Sequence, residues 1–457
     1  MFRTTKRMYS ARDKMKHKSI RAAAAIVAAA LLSFPLSGCA LLRPIDGSAE
    51  TTDVVSGSDT QPQDTQPMDS SAGIEETTTV PTTTAAQPPE TTPPVPSVPA
   101  EQKVSILAVG DNIIHEAVYV DAKNRASDGE EYNFLPMYSA VAERIQEADI
   151  AFVNQEAPMA GKDYGISGYP TFNAPRETAA ALIEAGFDVI NLANNHIMDK
   201  RAAGARATVE YVQSLPVTSL GVYLDQADFE HIRVTEVNGI RIAWVSFCQD
   251  SNNPHDNNTS GVIMPRMDDD NAIAERIRDA AKISDFVIAS AHWGIDGKSE
   301  ITSDQRRLAK VMAEAGADVI LGHHPHILQS VEWLDTSSGT KSLVAYSLGN
   351  FLSAQLNAPN MIGGMLTFDI VKDSSGLCRL EAPVMEIAVN HYDGEKDLTQ
   401  AYDVHRHAMQ MYMLEDYTDE LAARHGCRFF SSGFTVKWIE DHVRSIIAEE
   451  FLPPCLE

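Results

Sequence analysis

Basic residues are scarce in this chain of 457 residues: 37 Lys and Arg stand against 63 Asp and Glu, a net charge of −26. Such a surface offers a polyanion no general attraction, so a nucleic-acid partner is excluded from the reading. Cysteine is scarce as well. Cys248, Cys378, Cys427 and Cys455 are widely spaced with no Cys-x-x-Cys pair, and they read neither as a disulfide framework nor as a zinc knuckle. A spanning run is missing from the amino terminus, where the apolar stretch Ala22 to Pro35 falls short of the ~20 residues a membrane helix needs. Hydrophobic residues still make up 44% of the chain, enough for one large domain or two smaller ones.

What the amino terminus does contain is a secretory layout. Eight basic residues (Arg3, Lys6, Arg7, Arg12, Lys14, Lys16, Lys18, Arg21) and one acid, Asp13, precede the apolar run, which ends in Leu36-Ser37-Gly38-Cys39. That tetrapeptide resembles a bacterial lipobox. The expectation is therefore a cleaved signal over residues 1–38, lipidation of Cys39, and a protein held by its lipid on the extracytoplasmic face of the cell membrane. Several acyl chains, at roughly 0.8 kcal/mol per buried methylene, give durable anchoring. Removing the signal takes away seven net positive charges and leaves the mature chain at about −33.

Residues 39–102 are dominated by Thr, Pro, Ser, Gln and acids, as in Thr82-Thr83-Thr84 and Pro93-Pro94-Val95-Pro96. Such a stretch buries too little apolar surface to offset its chain entropy, so a disordered stalk is expected. From Lys103 the pattern changes. Val104 to Val109 reads as a buried strand ending in Gly110-Asp111, and helix-then-strand units follow, among them Glu177 to Ala185 before Asp188 to Leu192 and Gln305 to Ala315 before Asp318 to Leu321. The alternation predicts an α/β sheet domain over residues 103–390. Asn238-Gly239 marks a hairpin, and Ser374-Ser375-Gly376 marks a second. Residues 391–457 are expected to be a helical extension packed on the domain, with amphipathic helices at Ala401 to Arg424 and Val436 to Glu449. His405, His407, His425 and His442 read there as surface or packing residues.

One heptapeptide is echoed: Glu184-Ala185-Gly186-Phe187-Asp188-Val189-Ile190 and Glu314-Ala315-Gly316-Ala317-Asp318-Val319-Ile320. Each copy stops a helix at Gly, starts a strand and runs into a His-bearing loop. Ligands of open α/β sheets gather at the carboxyl ends of strands, so the echo puts both loops on one edge. The strand ends carry Asp111 with His115, Asn154 and Glu156, Asn194-Asn195-His196 with Asp199, His292 before Trp293-Gly294, and the cluster His323, His324, His326. Carboxylate, carboxamide and imidazole together suit zinc, manganese or iron.

In chain order these segments, Gly110-Asp111, Asn154-Gln155-Glu156, Asn194-Asn195-His196, His292-Trp293-Gly294, Gly322-His323-His324-Pro325-His326 and Tyr346-Ser347-Leu348-Gly349-Asn350-Phe351, resemble the CapA, or PGA_cap, family over roughly residues 103–355. That resemblance implies a metallophosphoesterase-like two-sheet sandwich flanked by helices, with two divalent metal ions (Mn, Zn or Fe) at one edge. It implies Asp111, Asn195, His292, His323 and His326 as metal ligands, Glu156 in place of a bridging carboxylate, and His196 facing the leaving group. Asp199 reads equally as the group that orients His196 or as a helix cap before Lys200-Arg201. Asn194, Trp293, His324 and Asn350 are assigned to the substrate side, with burial the alternative for Trp293.

The chain departs from the phosphoesterase pattern after the first strand, where residue 113 is Ile and the nearest histidine is His115. Gly-His-His-Pro-His leaves open which histidines bind metal, and Asp296 stands where many relatives carry Glu. The functional expectation is a metal-dependent hydrolase or transferase on an anionic envelope polymer such as poly-γ-glutamate, working beside capsule synthase or transporter components. Its alternatives are a non-catalytic polymer-binding or scaffold component and a metallophosphodiesterase on another envelope substrate.

Overall fold

The buried run at Val104 to Val109 forms the middle of β1 (Gln102–Asn112), the strand around which the first sheet is assembled. The computed structural model describes residues 101–253, 261–396 and 404–456, which belong to one unit. The signal segment, Cys39 and the stalk up to residue 100 lie outside the described residues. After β1 come β2 (Ile150–Gln155), β3 (Val189–Asn191), β4 (Thr218–Leu220), β5 (Arg233–Val237), β6 (Ile240–Cys248) and β7 (Phe286–His292). They are followed by β8 (Val319–His323), β9 (Val331–Asp335), β10 (Lys341–Ala345), β11 (Asn350–Leu352), β12 (Ile362–Lys372), β13 (Cys378–Lys396) and β14 (Val404–Met413).

The first sheet has the order β14-β13-β12-β1-β2-β3-β4, with β11 paired to β1, and the second β5-β6-β7-β8-β10-β9. Strands β1 to β4 are mutually parallel, as are β6, β7, β8 and β10, so their carboxyl ends collect at one edge of each sheet. The sheets share a core in which Phe152 of β2 stacks on Trp244 of β6 at 5.8 Å. A second core lies on the outer face of the second sheet, where Ile273, Ile277, Leu308 and Met312 of two helices meet Val287, Ala289 and Ile320. Burying each of the larger of these side chains contributes roughly 1.5–3 kcal/mol. This is the expected α/β sandwich flanked by helices.

Local chemistry explains the joints. Asn238 and Gly239 both take positive φ (52° and 78°), as a two-residue hairpin between β5 and β6 requires. Helix 303–315 opens on a capping box of Thr302 and Gln305. The echoed heptapeptides do the same work twice: Gly186 and Gly316 end their helices in the left-handed conformation. Asp188 then accepts from the Ala151 amide at 2.9 Å and Asp318 from the Val287 amide at 2.8 Å, each tying its strand to the neighbouring one. The two copies, however, lie in different sheets, β3 in the first and β8 in the second. Their loops meet because the sheets face each other, not because they share one sheet edge.

The carboxyl-terminal expectation needs correction. A domain boundary at 390 would cut β13, which runs to Lys396, and residues 404–413 form an edge strand where a helix was expected. The alternation of buried Met409, Met411 and Met413 is a period of two. A break in register near residues 391–393, with Ala408 at positive φ, interrupts it and leaves a pattern that also fits a helix. The helix expected at Val436 is present to Arg444. His425 is buried, its Nε2 donating to Asn390 O at 2.9 Å and its Nδ1 accepting from the Cys427 amide at 3.0 Å, and His442 stacks on Trp438. Both are packing residues, as expected.

Candidate metal centre

Two glycines bring the chain close enough to form the site. A Cβ on Gly110 would stand 1.9 Å from Gly349 O, and one on Gly322 would stand 1.9 Å from Tyr346 O. Only glycine admits these approaches, and each precedes a site residue, Asp111 and His323. Asp111 is fully buried; its Oδ1 accepts from Asn154 Nδ2 at 2.8 Å, and its Oδ2 from the His324 amide at 3.2 Å and His326 Nδ1 at 3.0 Å. His323 Nδ1 lies 3.4 Å from its Oδ1. Burial works to raise the Asp111 pKa, but hydrogen bonds and charge from His323 and His326 outweigh it and hold the carboxyl well below the ordinary range.

Glu156 is the opposite case. It is fully buried just beyond β2, and neither carboxylate oxygen has a hydrogen-bond partner in the structure. Burial, reinforced by the neighbouring Asp111 charge, pushes its pKa well above the usual value. Its Oε1 lies 3.5 Å from His292 Nε2 and 3.5 Å from His326 Nε2. His292 Nε2 meets Asn195 Oδ1 at 3.0 Å, while its Nδ1 has no partner. Burial and the nearby His324 hold His292 well below its usual pKa, and burial with His326 lowers His324 to about 4, so both are neutral imidazoles near pH 7.

These donors form two groups. One atom from each of Asp111, Glu156 and His326 lies within 4.8 Å of the others, and the same holds for Glu156, His292 and His324. Glu156 belongs to both, which is the arrangement a bridging carboxylate needs. The unpartnered nitrogens of His292, His323 and His324 and the unpartnered oxygens of Glu156 fit a pair of divalent cations, since buried polar atoms otherwise find hydrogen bonds. His324, assigned from sequence to the substrate side, stands with the ligands. His323 is outside both groups, still in β8 with its ring stacked on Phe152 at 5.7 Å and its Nδ1 turned to Asp111 Oδ1 at 3.4 Å, beside the Asp111 group. The positive φ of His324 (94°) and His326 (61°) turns the chain after β8, which separates the three histidines into these roles.

His196 sits at the mouth. Its Nδ1 meets Asp199 Oδ2 at 2.7 Å and Asn252 Nδ2 at 3.0 Å, and Phe172 packs edge-on against the ring at 4.7 Å. Asp199 also accepts from the Phe172 amide at 2.8 Å, while the cap position of helix 201–213 falls to Lys200. The carboxylate therefore orients the histidine rather than capping the helix. His196, Asp199, Asn195, His324 and His326 all line one cleft of about 470 Å³, at whose rim Asp296 is exposed. No Lys or Arg lines it among the described residues.

Three residues assigned to the substrate side, Trp293, Asn194 and Asn350, are not in the lining of this cleft. Trp293 is buried in the outer core, stacked on Tyr346 at 6.0 Å with its Nε1 donating to Tyr346 O at 2.9 Å. Asn194 spends its amide on Gln155 O and Leu192 O and its carbonyl on the His196 amide. Asn350 donates to Ser353, Gln355 and Asn360. Trp293 and the Asn194 amide are consumed by backbone groups and the Asn350 Nδ2 by neighbours in its own loop, while Asn350 Oδ1 is buried without a hydrogen-bond partner. His115 also holds structure, its Nδ1 accepting from the Ala354 amide at 3.2 Å. Asn252 escaped the sequence reading, although it follows the end of β6 and the strand-end rule applied to that loop would have found it. Phe172, in a loop between β2 and a helix, carries no comparable signal.

Residues 105–355 match the family model described as bacterial capsule synthesis protein PGA_cap. The chain is 33% identical over 216 residues to the PGA biosynthesis protein CapA of Bacillus subtilis (46% of this chain, 54% of that one). It is 34% identical over 193 residues to the capsule biosynthesis protein CapA of Bacillus anthracis (40% and 44%). The chain thus spans about half the length of the curated relatives it matches. Among solved structures, the calcineurin-like phosphoesterase YfkN of Bacillus subtilis aligns with a TM-score of 0.40 at 13% identity, covering 63% of this chain and 91% of that one.

Proposed function

We propose a function from one premise: the chain belongs to the bacterial capsule synthesis protein PGA_cap family. On that premise, the protein is a metal-dependent hydrolase or transferase acting on an anionic cell-envelope polymer, poly-γ-glutamate or a capsular chain, during its synthesis or export. The observation that carries the reading is the Glu156 carboxylate, buried without a hydrogen-bond partner and shared by two groups of donors. Asp111, Glu156 and His326 would hold one ion and Glu156, His292 and His324 the other, with Asn195 and His323 beside them. A pair of bound cations supplies Lewis-acid polarisation of the scissile group and a water acidic enough to attack near neutral pH.

The chain's own residues supply the proton. Asp199 accepts from His196 Nδ1 and so fixes the ring, and Nε2, with Asn252 Nδ2 3.4 Å away, is the nitrogen that gives a proton to the departing group. A polymer-binding role without catalysis is supported less well, because it gives no use to the His196–Asp199 pair at the mouth of the cleft. Attachment through a lipid on Cys39 to the extracytoplasmic face, beside synthase or transporter components, completes the proposal. Cys39→Ala should then release the protein from the membrane fraction, and unchanged fractionation would contradict the anchor. The catalytic reading is tested with His196→Ala assayed on a generic phosphodiester and on poly-γ-glutamate. Loss of about 10²–10⁴ in kcat with metal content unchanged is expected. Equal turnover would remove His196 from the mechanism.

A further inference from the structure

The β13–β14 hairpin gathers donors that the metal centre does not use. In its antiparallel register Glu395 stands opposite His405 and Asp393 opposite His407. Side chains alternate along a strand, so His405 and His407 project from one face of β14 with Arg406 on the other. One atom each from Glu395, His405 and His407 lies within 4.8 Å of the other two, and the imidazole rings are 5.2 Å apart. Glu395 and His405 are exposed and His407 half-buried, on the strand that forms the edge of the sheet. Among the described residues no hydrogen bond engages the ring nitrogens of either histidine. Asp393 is held off by His391 Nε2 at 3.0 Å and Arg424 Nε at 2.8 Å.

We propose that Glu395, His405 and His407 form a second, surface site for a divalent transition-metal ion of the zinc, nickel or copper class. Two imidazoles and one carboxylate are the donors such ions prefer, whereas calcium and magnesium call for several oxygens. Bonds of about 2.0–2.2 Å bring tetrahedral donors to about 3.4 Å from one another, and rotation of the exposed Glu395 and His405 side chains toward His407 closes that gap. Three protein donors leave a coordination position open to water or to a donor from another molecule.

The site bears on the cleft through the strands that carry it. Arg406, between the two histidines, donates to Ala354 O, and the Ala354 amide donates to His115 in the cleft wall. Tyr392 Oη of β13 donates to Gln355 O at 2.8 Å. An ion bridging Glu395 to the two histidines clamps the strand pair that supports residues 354–355.

The test is a calorimetric titration of the full chain with Ni²⁺, compared with the His405→Ala/His407→Ala double variant and with Glu395→Gln. The wild type is expected to take up one equivalent more than the double variant, with the remaining equivalents bound as before. Glu395→Gln should weaken that one equivalent about tenfold or more. Amide exchange in residues 391–396 and 404–413 should slow on addition of Ni²⁺ in the wild type alone. Equal stoichiometry in wild type and double variant overturns the site, as does unchanged exchange in the hairpin. Because the cleft equivalents are counted separately, failure here leaves the reading of the metal centre untouched, and its failure leaves this site standing.

Discussion

The Glu156 carboxylate and the His292 imidazole face each other at 3.5 Å, both fully buried, and neither Glu156 Oε1 nor His292 Nδ1 has a hydrogen-bond partner. Leaving such atoms unmade costs about 1–3 kcal/mol each in a folded protein, so their survival here has to be offset by something that binds them. Because Glu156 serves both donor groups, Glu156→Gln, made in the His405→Ala/His407→Ala background so that only the cleft is counted, should reduce the metal content of the purified protein from about two equivalents to one or fewer. Elemental analysis checks this, and two retained equivalents would show that the carboxylate does not bridge. The amide is close in shape, so the metal-free protein should unfold within a few degrees of the wild type.

Gly322 makes the most specific prediction about the frame. A methyl group there meets Tyr346 O at 1.9 Å, inside the sheet and not at the end of a flexible side chain. Gly322→Ala should therefore cost about 1–3 kcal/mol or more, read as a lowered Tm or loss of soluble protein. Gly376→Ala has open space around it but takes φ of 87°, and its cost should be limited to about 1 kcal/mol of backbone strain. Equal losses at both positions would show that the close approach of the strands is not what limits Gly322.

Away from the centre, His425 sets an acid limit on stability. Burial, with the adjacent His391 charge, lowers its pKa to about 3 in the folded chain, against about 6.5 when unfolded. The unfolded state therefore takes up the proton first as pH falls. Its contribution is intact above about pH 6.5 and is lost progressively between there and pH 3, with a slope of at most about 1.4 kcal/mol per pH unit. Denaturant unfolding of the metal-free protein at pH 7, 6 and 5 checks this. His425→Asn should be less stable at pH 7 and show a shallower fall; an unchanged fall would exclude His425 as its source.

Much of the centre was legible because its residues follow strands. Asp111, Glu156, Asn195, His292 and the Gly322 to His326 run each sit where a buried strand gives way to a polar loop, and a parallel sheet carries such ends to one edge. The side-chain roles were less legible. Trp293 and Asn194 have the right chemistry for substrate but spend it on backbone groups that only the folded chain supplies, and Asn350 Nδ2 is spent on Ser353, Gln355 and Asn360. That His324 stands with the ligands depends on a left-handed turn after β8 that no spacing reveals. In the carboxyl-terminal part, one break in register between β13 and β14 obscured a period of two, and an edge strand was read as a helix.

The central claim is that Glu156 lies between two cations. Anomalous diffraction from crystals grown with Mn²⁺ measures it most directly. Two peaks about 3.5–4 Å apart, one beside Asp111 and His326 and one beside His292 and His324, with Glu156 reaching both, are the predicted result. Peaks confined to other parts of the chain, or none at the cleft under saturating Mn²⁺ or Zn²⁺, would contradict it.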